Sequence, residues 1–90
     1  MYFALFYEYG PDAVERRKPH REAHLALVHK LHGEGRIVLA GAFQPVTGAL
    51  LVFRVDAPSE VEEFVKADPY VQSGLVTSWR VREWGVVVGG

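Results

Sequence analysis

Six apolar segments, separated by proline- and glycine-bearing breaks, follow one another along this chain as strand, helix, strand, strand, helix, strand. Tyr2-Phe3-Ala4-Leu5-Phe6-Tyr7 is apolar at both parities, the pattern of a strand buried on both faces. Gly10-Pro11-Asp12 breaks it, and Asp12 is placed to cap a short helical turn through Arg17. Pro19 suits the first turn of the next helix, where its missing N–H costs nothing. Ala23, Leu27 and Leu31 then form an i, i+4, i+8 stripe, with His24, Leu25 and Val28 beside it. His29, Lys30 and His32 sit near the negative pole of that helix, and Gly33 or Gly35 can supply a left-handed cap. Arg36 to Phe43 and Ala49 to Val55 read as strands joined by a turn, hence a hairpin. Pro58 opens a second helix, with Ser59 and Glu62 at capping-box spacing and Val61, Phe64 and Val65 as its buried face. Asp68-Pro69 closes it, because the residue before a proline disfavours helical geometry. Val76 to Val88 holds the last strand, with Gly85 as a bend.

The order βαββαβ predicts an α+β domain of ferredoxin-like topology, a four-stranded antiparallel sheet with both helices on one face, over residues 1–90. That arrangement leaves a problem. Strands one and three are apolar on both faces, yet the helices cover only one. A second copy packed sheet to sheet by two-fold symmetry is the simplest cover, so the expectation is a homodimer, a dimeric α+β barrel.

Composition narrows the function classes. A hydrophobic fraction of 49% and a charged fraction of 23% describe a globular chain. A net charge of −1 gives no general pull toward nucleic acid or anionic membrane. No segment approaches membrane-spanning length, and the opening apolar run lacks the basic flank of a signal peptide. Cysteine is absent, which removes thiol nucleophiles and disulfides and suits a cytoplasmic protein. Asparagine is absent too, and arginine outnumbers lysine, which points to a thermophilic source or to a GC-rich genome.

The chemistry concentrates in two segments. Arg21-Glu22-Ala23-His24 lies in the first long helix, and Asp68-Pro69-Tyr70 where the second ends. The topology sets these helices side by side. His24 is then a candidate general acid/base, and Asp68 a candidate acceptor that orients its imidazole. Arg17 and Arg21, four apart, and His24, three further, can share a helix face, so the arginines are candidates for holding an anionic group. Tyr70 and Ser73 can line the same cleft. Each has a plain structural alternative: a histidine satisfied by a backbone carbonyl, an aspartate serving a turn, arginines on a solvated face with Glu15 and Glu22, a tyrosine in the core.

These segments resemble the YCII-related family. The resemblance rests on Arg21-x-x-His24-Leu25, Gly35-x-x-x-x-Ala40-Gly41 and Asp68-Pro69-Tyr70-Val71-x-x-Gly74-Leu75, with an aromatic opening strand, and spans nearly the whole chain. It implies a dimeric α+β barrel like that of muconolactone isomerase and a site built on the histidine and aspartate, here His24 and Asp68. One relative is a dehydrochlorinase of chlorinated aromatics, so the resemblance implies proton transfer in an isomerase or lyase. One departure from the family is the short hairpin loop, Gln44-Pro45-Val46-Thr47, so where that loop shapes the pocket in relatives the resemblance carries over no substrate.

Other readings fail on residue type. His20 and His24 are spaced for a metal, but the segment lacks the His-Glu-x-x-His order and a third ligand, so no metal or other cofactor is expected. RNA-recognition domains share the topology, but Gly48-Ala49-Leu50-Leu51-Val52-Phe53 carries aliphatics where stacking rings are needed. The expectation is a small enzyme using His24 and Asp68 for proton transfer on a small anionic molecule. The rival is a non-catalytic dimer that binds a small ligand.

Overall fold

The computed structural model describes residues 1–89. Its elements are β1 (Tyr2–Tyr9), α1 (Ala13–Arg16), α2 (Lys18–Gly33), β2 (Ile37–Ala42), β3 (Gly48–Arg54), α3 (Pro58–Ala67), α4 (Pro69–Gln72) and β4 (Val76–Trp84). The strands form one antiparallel sheet in the order β2-β3-β1-β4. The α+β fold and the antiparallel four-stranded sheet are as the periodicity predicts.

Strand parity sorts the side chains. Phe3, Leu5 and Tyr7 of β1 and Ala49, Leu51 and Phe53 of β3 point to the helices. Val28 and Leu31 of α2 and Val61, Phe64 and Val65 of α3 meet them, with Phe64 edge-on to Phe53 at 5.3 Å. Each valine, leucine or phenylalanine among them contributes about 1.5–3 kcal/mol through removal from water. On the other face of the sheet, Ala4, Phe6, Leu50 and Val52 lie under no helix, and Leu39 and Trp84 are 70% and 50% exposed.

Several local expectations are corrected. The buried face of α2 runs through His24, Val28 and Leu31, whereas Ala23 is exposed, so the apolar stripe is rotated by one residue. The polar ring sits at its centre because Asp68 satisfies it there. Asp12 does not cap α1 with its side chain: its backbone is left-handed, φ 58°, and its carbonyl receives the Arg16 N–H. The α3 cap uses Glu60, not Ser59 and Glu62. The helix starts at Pro58, and the Glu60 carboxylate accepts from the Asp56 and Ala57 N–H groups. Strand β4 stops at Trp84 rather than running to Val88, so Gly85 ends it. Gly35, left-handed at φ 76°, closes α2: its N–H reaches the His32 carbonyl while the Arg36 N–H reaches Leu31.

Candidate active site

Asp68 occupies a single extended residue between two helices. It ends α3, and its side chain caps α4 by accepting the Tyr70 N–H at Oδ1, 3.1 Å. Pro69 forces this break, since the residue before proline is pushed out of helical geometry and Pro itself suits a first helical turn. The break turns the Asp68 side chain inward, where it is fully buried.

A buried carboxylate requires donors on both oxygens. Oδ1 also faces His24 Nδ1 at 2.7 Å, and Oδ2 accepts the Tyr7 hydroxyl at 2.7 Å. A carboxylate only accepts, so Nδ1 carries the proton and the lone pair of the neutral ring lies on Nε2. Among the described residues Nε2 has no hydrogen-bond partner, and no buried side-chain nitrogen or oxygen lacks one. The Nε2 edge is therefore the part of this 8%-exposed residue that meets solvent. Tyr70 stacks on the imidazole, centroids 3.8 Å apart and planes 4° apart, and Tyr9 meets Tyr70 edge-on at 6.1 Å. The ring is thus fixed by a hydrogen bond on one edge and an aromatic wall on one face.

His24 opens into a cleft of about 220 Å3 between α2 and the β2–β3 side of the sheet. Arg17, Arg21, Tyr9 and Tyr70 line it, with Ala40, Gly41 and Ala42 of β2 as a small-residue wall. Neither arginine has an acidic partner among the described residues; Glu15 pairs with Lys18 instead, at 2.9 Å. Their charge is felt by the phenols. Burial pushes Tyr9 up to about 12, and Tyr70 and Asp68 add to the rise, while Arg17 and Arg21 act against it. Burial also raises Tyr70, opposed chiefly by Arg21 and Arg17. Tyr7 is raised well above the usual phenol range by burial, then by the charge and hydrogen bond of Asp68.

The structure thus brings together His24, Asp68, Arg17, Arg21 and Tyr70. Ser73 stays out: it is exposed, absent from the cleft wall, and its hydroxyl donates to the Tyr70 carbonyl at 3.3 Å. Two neighbours were hidden in the sequence. Tyr7 read as a strand aromatic and Tyr9 lay beyond the predicted strand; the available signal was parity, since both fall on the Phe3–Leu5 side of β1, where a hydroxyl needs a partner. The hairpin loop does not reach the cleft. Thr47 instead borders a larger hollow of about 740 Å3 at the end of the sheet, with Glu8, Phe43, Ser78 and Arg80. The Glu8 carboxylate there is engaged by the Ser78 hydroxyl at 2.6 Å, and that hollow lacks an imidazole. No group of three or more His, Cys, Asp or Glu among the described residues could hold a metal.

Fold and site define a small α+β domain with a carboxylate-held imidazole facing a cationic cleft. The chain belongs to the YCII-related domain family, whose model matches residues 1–85. Protein YciI of Escherichia coli O6:H1 is 29% identical over 85 residues, covering 83% of this chain and 87% of that one. An uncharacterized protein of Haemophilus influenzae is 27% identical over the same span. Among solved structures, 5-chloro-2-hydroxyhydroquinone dehydrochlorinase from Burkholderia phenoliruptrix AC1100, in complex with 2,5-dihydroxybenzoquinone, matches with a TM-score of 0.82 at 26% identity over 94% of each chain.

Proposed function

We propose that this protein is a small cytoplasmic enzyme that moves a proton on a small anionic organic molecule, by elimination or isomerisation. The observation that carries this reading is the 2.7 Å His24–Asp68 contact with the other imidazole edge open to a cleft lined by two arginines that have no acidic partner among the described residues. In this reading Arg21 and Arg17 hold the substrate's negative charge. Nε2 of His24 removes a proton from a carbon beside a carbonyl, and the electron pair of the broken C–H bond moves toward the oxygen. In elimination that pair expels a leaving group as its anion; in isomerisation His24 returns the proton to another carbon. Asp68 keeps the ring turned and stabilises the imidazolium. Tyr70 walls the imidazole. The dehydrochlorinase activity of the structural neighbour supports a leaving-group chemistry on a planar oxygenated ring.

The assembly proposed is a homodimer through the open face of the sheet, where Ala4, Phe6, Leu50 and Val52 are flanked by exposed Leu39 and Trp84. A light-scattering mass of one chain at micromolar concentration would refute it.

The test of function is a thermal-shift screen of small carboxylic acids and hydroxylated quinones, followed by absorbance assays of the stabilising compounds with wild type and His24→Ala. Turnover lost in His24→Ala, with the fold intact by circular dichroism, is the expected result. Turnover unchanged by the substitution sinks the His24 role. Binding without turnover in either protein makes it a ligand-binding module instead.

A further inference from the structure

We propose that Tyr7 is a third member of the unit formed by His24 and Asp68, a positioning residue that sets the proton affinity of the imidazole through the shared carboxylate. The inference rests on the acid–base reading of His24, and its test is independent of any substrate.

The argument begins with strand parity. Phe3, Leu5 and Tyr7 alternate on the buried face of β1, and all three are almost fully enclosed. A phenylalanine at position 7 would fill the same volume without a polar atom. The hydroxyl is tolerated there because Oδ2 of Asp68 takes its hydrogen bond at 2.7 Å. Asp68 has no exposure, so no bulk water replaces that donor. Oδ1 accepts from the Tyr70 N–H and His24; among the described residues Tyr7 alone donates to Oδ2. The phenol therefore fixes the rotation of the carboxylate and draws electron density away from the oxygen that faces His24. A stronger donor at Tyr7 makes Asp68 a weaker partner for an imidazolium, and its loss makes Asp68 a stronger one. Burial keeps the Tyr7 hydroxyl protonated, so it acts as donor throughout the neutral range.

Other groups act on the same imidazole. Tyr9 comes from β1, Arg17 precedes α2, Arg21 and His29 lie on α2, and Tyr70 lies on α4; all border the cleft. Both arginines line the same cleft, and Asp68 holds the Nδ1 edge of the ring. None of them hydrogen-bonds Oδ2 of Asp68, so a change confined to the Tyr7 hydroxyl isolates the coupling.

The experiment is a proton-NMR titration of the histidine ring resonances, with His24 assigned by its loss in His24→Gln, against His20, His29 and His32 as internal references. Tyr7→Phe is expected to move the His24 midpoint upward by roughly one pH unit, leaving the references in place. A second protein carries 3-fluorotyrosine at position 7, a stronger donor of nearly the same size; its His24 midpoint moves downward. If Tyr7→Phe does not fold, the fluorinated protein alone decides. A Tyr7 that only fills space leaves the His24 midpoint unmoved in the variants that fold, and that result, or a movement opposite to those stated, overturns the proposal. Turnover assays play no part, so failure of the enzymatic reading appears as a missing reaction with this coupling intact.

Discussion

The Tyr70 ring lies flat on the His24 imidazole, 3.8 Å between centroids and 4° between planes. With Asp68 holding Nδ1, this stack leaves the imidazole one open edge, so a proton can be exchanged in one direction only. Because Pro69 starts α4 and Asp68 caps it, the same short turn delivers both the carboxylate and the aromatic wall. Replacing Tyr70 by Phe keeps the wall and removes a hydroxyl that has no partner among the described residues, so stability should change by less than about 1.5 kcal/mol. Tyr70→Ala removes a nearly enclosed ring and should cost about 3–5 kcal/mol in urea unfolding. Equal losses in the two variants would show that the ring contributes nothing as a wall.

Asp68→Asn separates capping from charge. Asparagine is as good a cap as aspartate, so α4 should persist by circular dichroism. Its single carbonyl oxygen cannot serve Tyr7 and His24 as two carboxylate oxygens do, and its amide presents a donor to one of them. The loss expected is about 1.5–3 kcal/mol, the range for hydrogen bonds to a charged group. A variant as stable as wild type would mean that the carboxylate acts on α4 as a cap alone.

Gly48 ties the site to the sheet. It lies opposite Glu8, and a Cβ there would run into the carbonyl oxygen of Tyr7. The β3 strand approaches β1 this closely only without a side chain, and the displaced group would be the backbone that carries the Tyr7 phenol. Gly48→Ala should therefore cost about 1–3 kcal/mol, the range for overpacking. Gly41, on neighbouring β2, has no atom within 4 Å of a built Cβ, so Gly41→Ala is the control and should stay within about 0.5 kcal/mol. Similar chemical-denaturation midpoints for the two variants would contradict the close approach.

Much of this was legible in the sequence, for identifiable reasons. Changes of hydrophobic period, with Pro19, Pro58 and Pro69 as punctuation, carry the strand–helix order, and that order sets α2 beside the α3–α4 turn. That adjacency made a His24–Asp68 contact feasible in the sequence, without the spacing itself showing it. The phase of α2 could not be read, because Ala23, Leu27 and Leu31 make a more hydrophobic stripe than one centred on a histidine. Only a buried acceptor, forty-four residues away, makes the His24-centred face favourable. Tyr7 was hidden for the same reason in reverse. Its ring belongs to the core and its hydroxyl to the site, and an apolar run displays only the ring. Ser73 follows Tyr70 by three residues, which turns its hydroxyl back onto the helix carbonyl rather than into the cleft.

The tyrosines make stability depend on alkaline pH. Burial holds Tyr7 above the ordinary phenol range, and pushes Tyr9 up to about 12, so both stay protonated in the folded chain when free phenols have begun to ionise. Ordinary tyrosine ionises near pH 10, so the unfolded chain binds fewer protons than the native one above that point. The sign follows: this contribution is fully present below about pH 10 and is lost as pH rises through 10 toward 12. Each tyrosine held protonated steepens the loss by up to about 1.4 kcal/mol per pH unit. Urea unfolding should show a midpoint that is level to about pH 9 and then falls. Tyr7→Phe removes one of the groups, so its curve should fall less steeply over the same window even if it starts lower. Parallel curves for the two proteins would mean that the Tyr7 phenol ionises in the folded state as readily as in the unfolded one, and that Asp68 does not hold it.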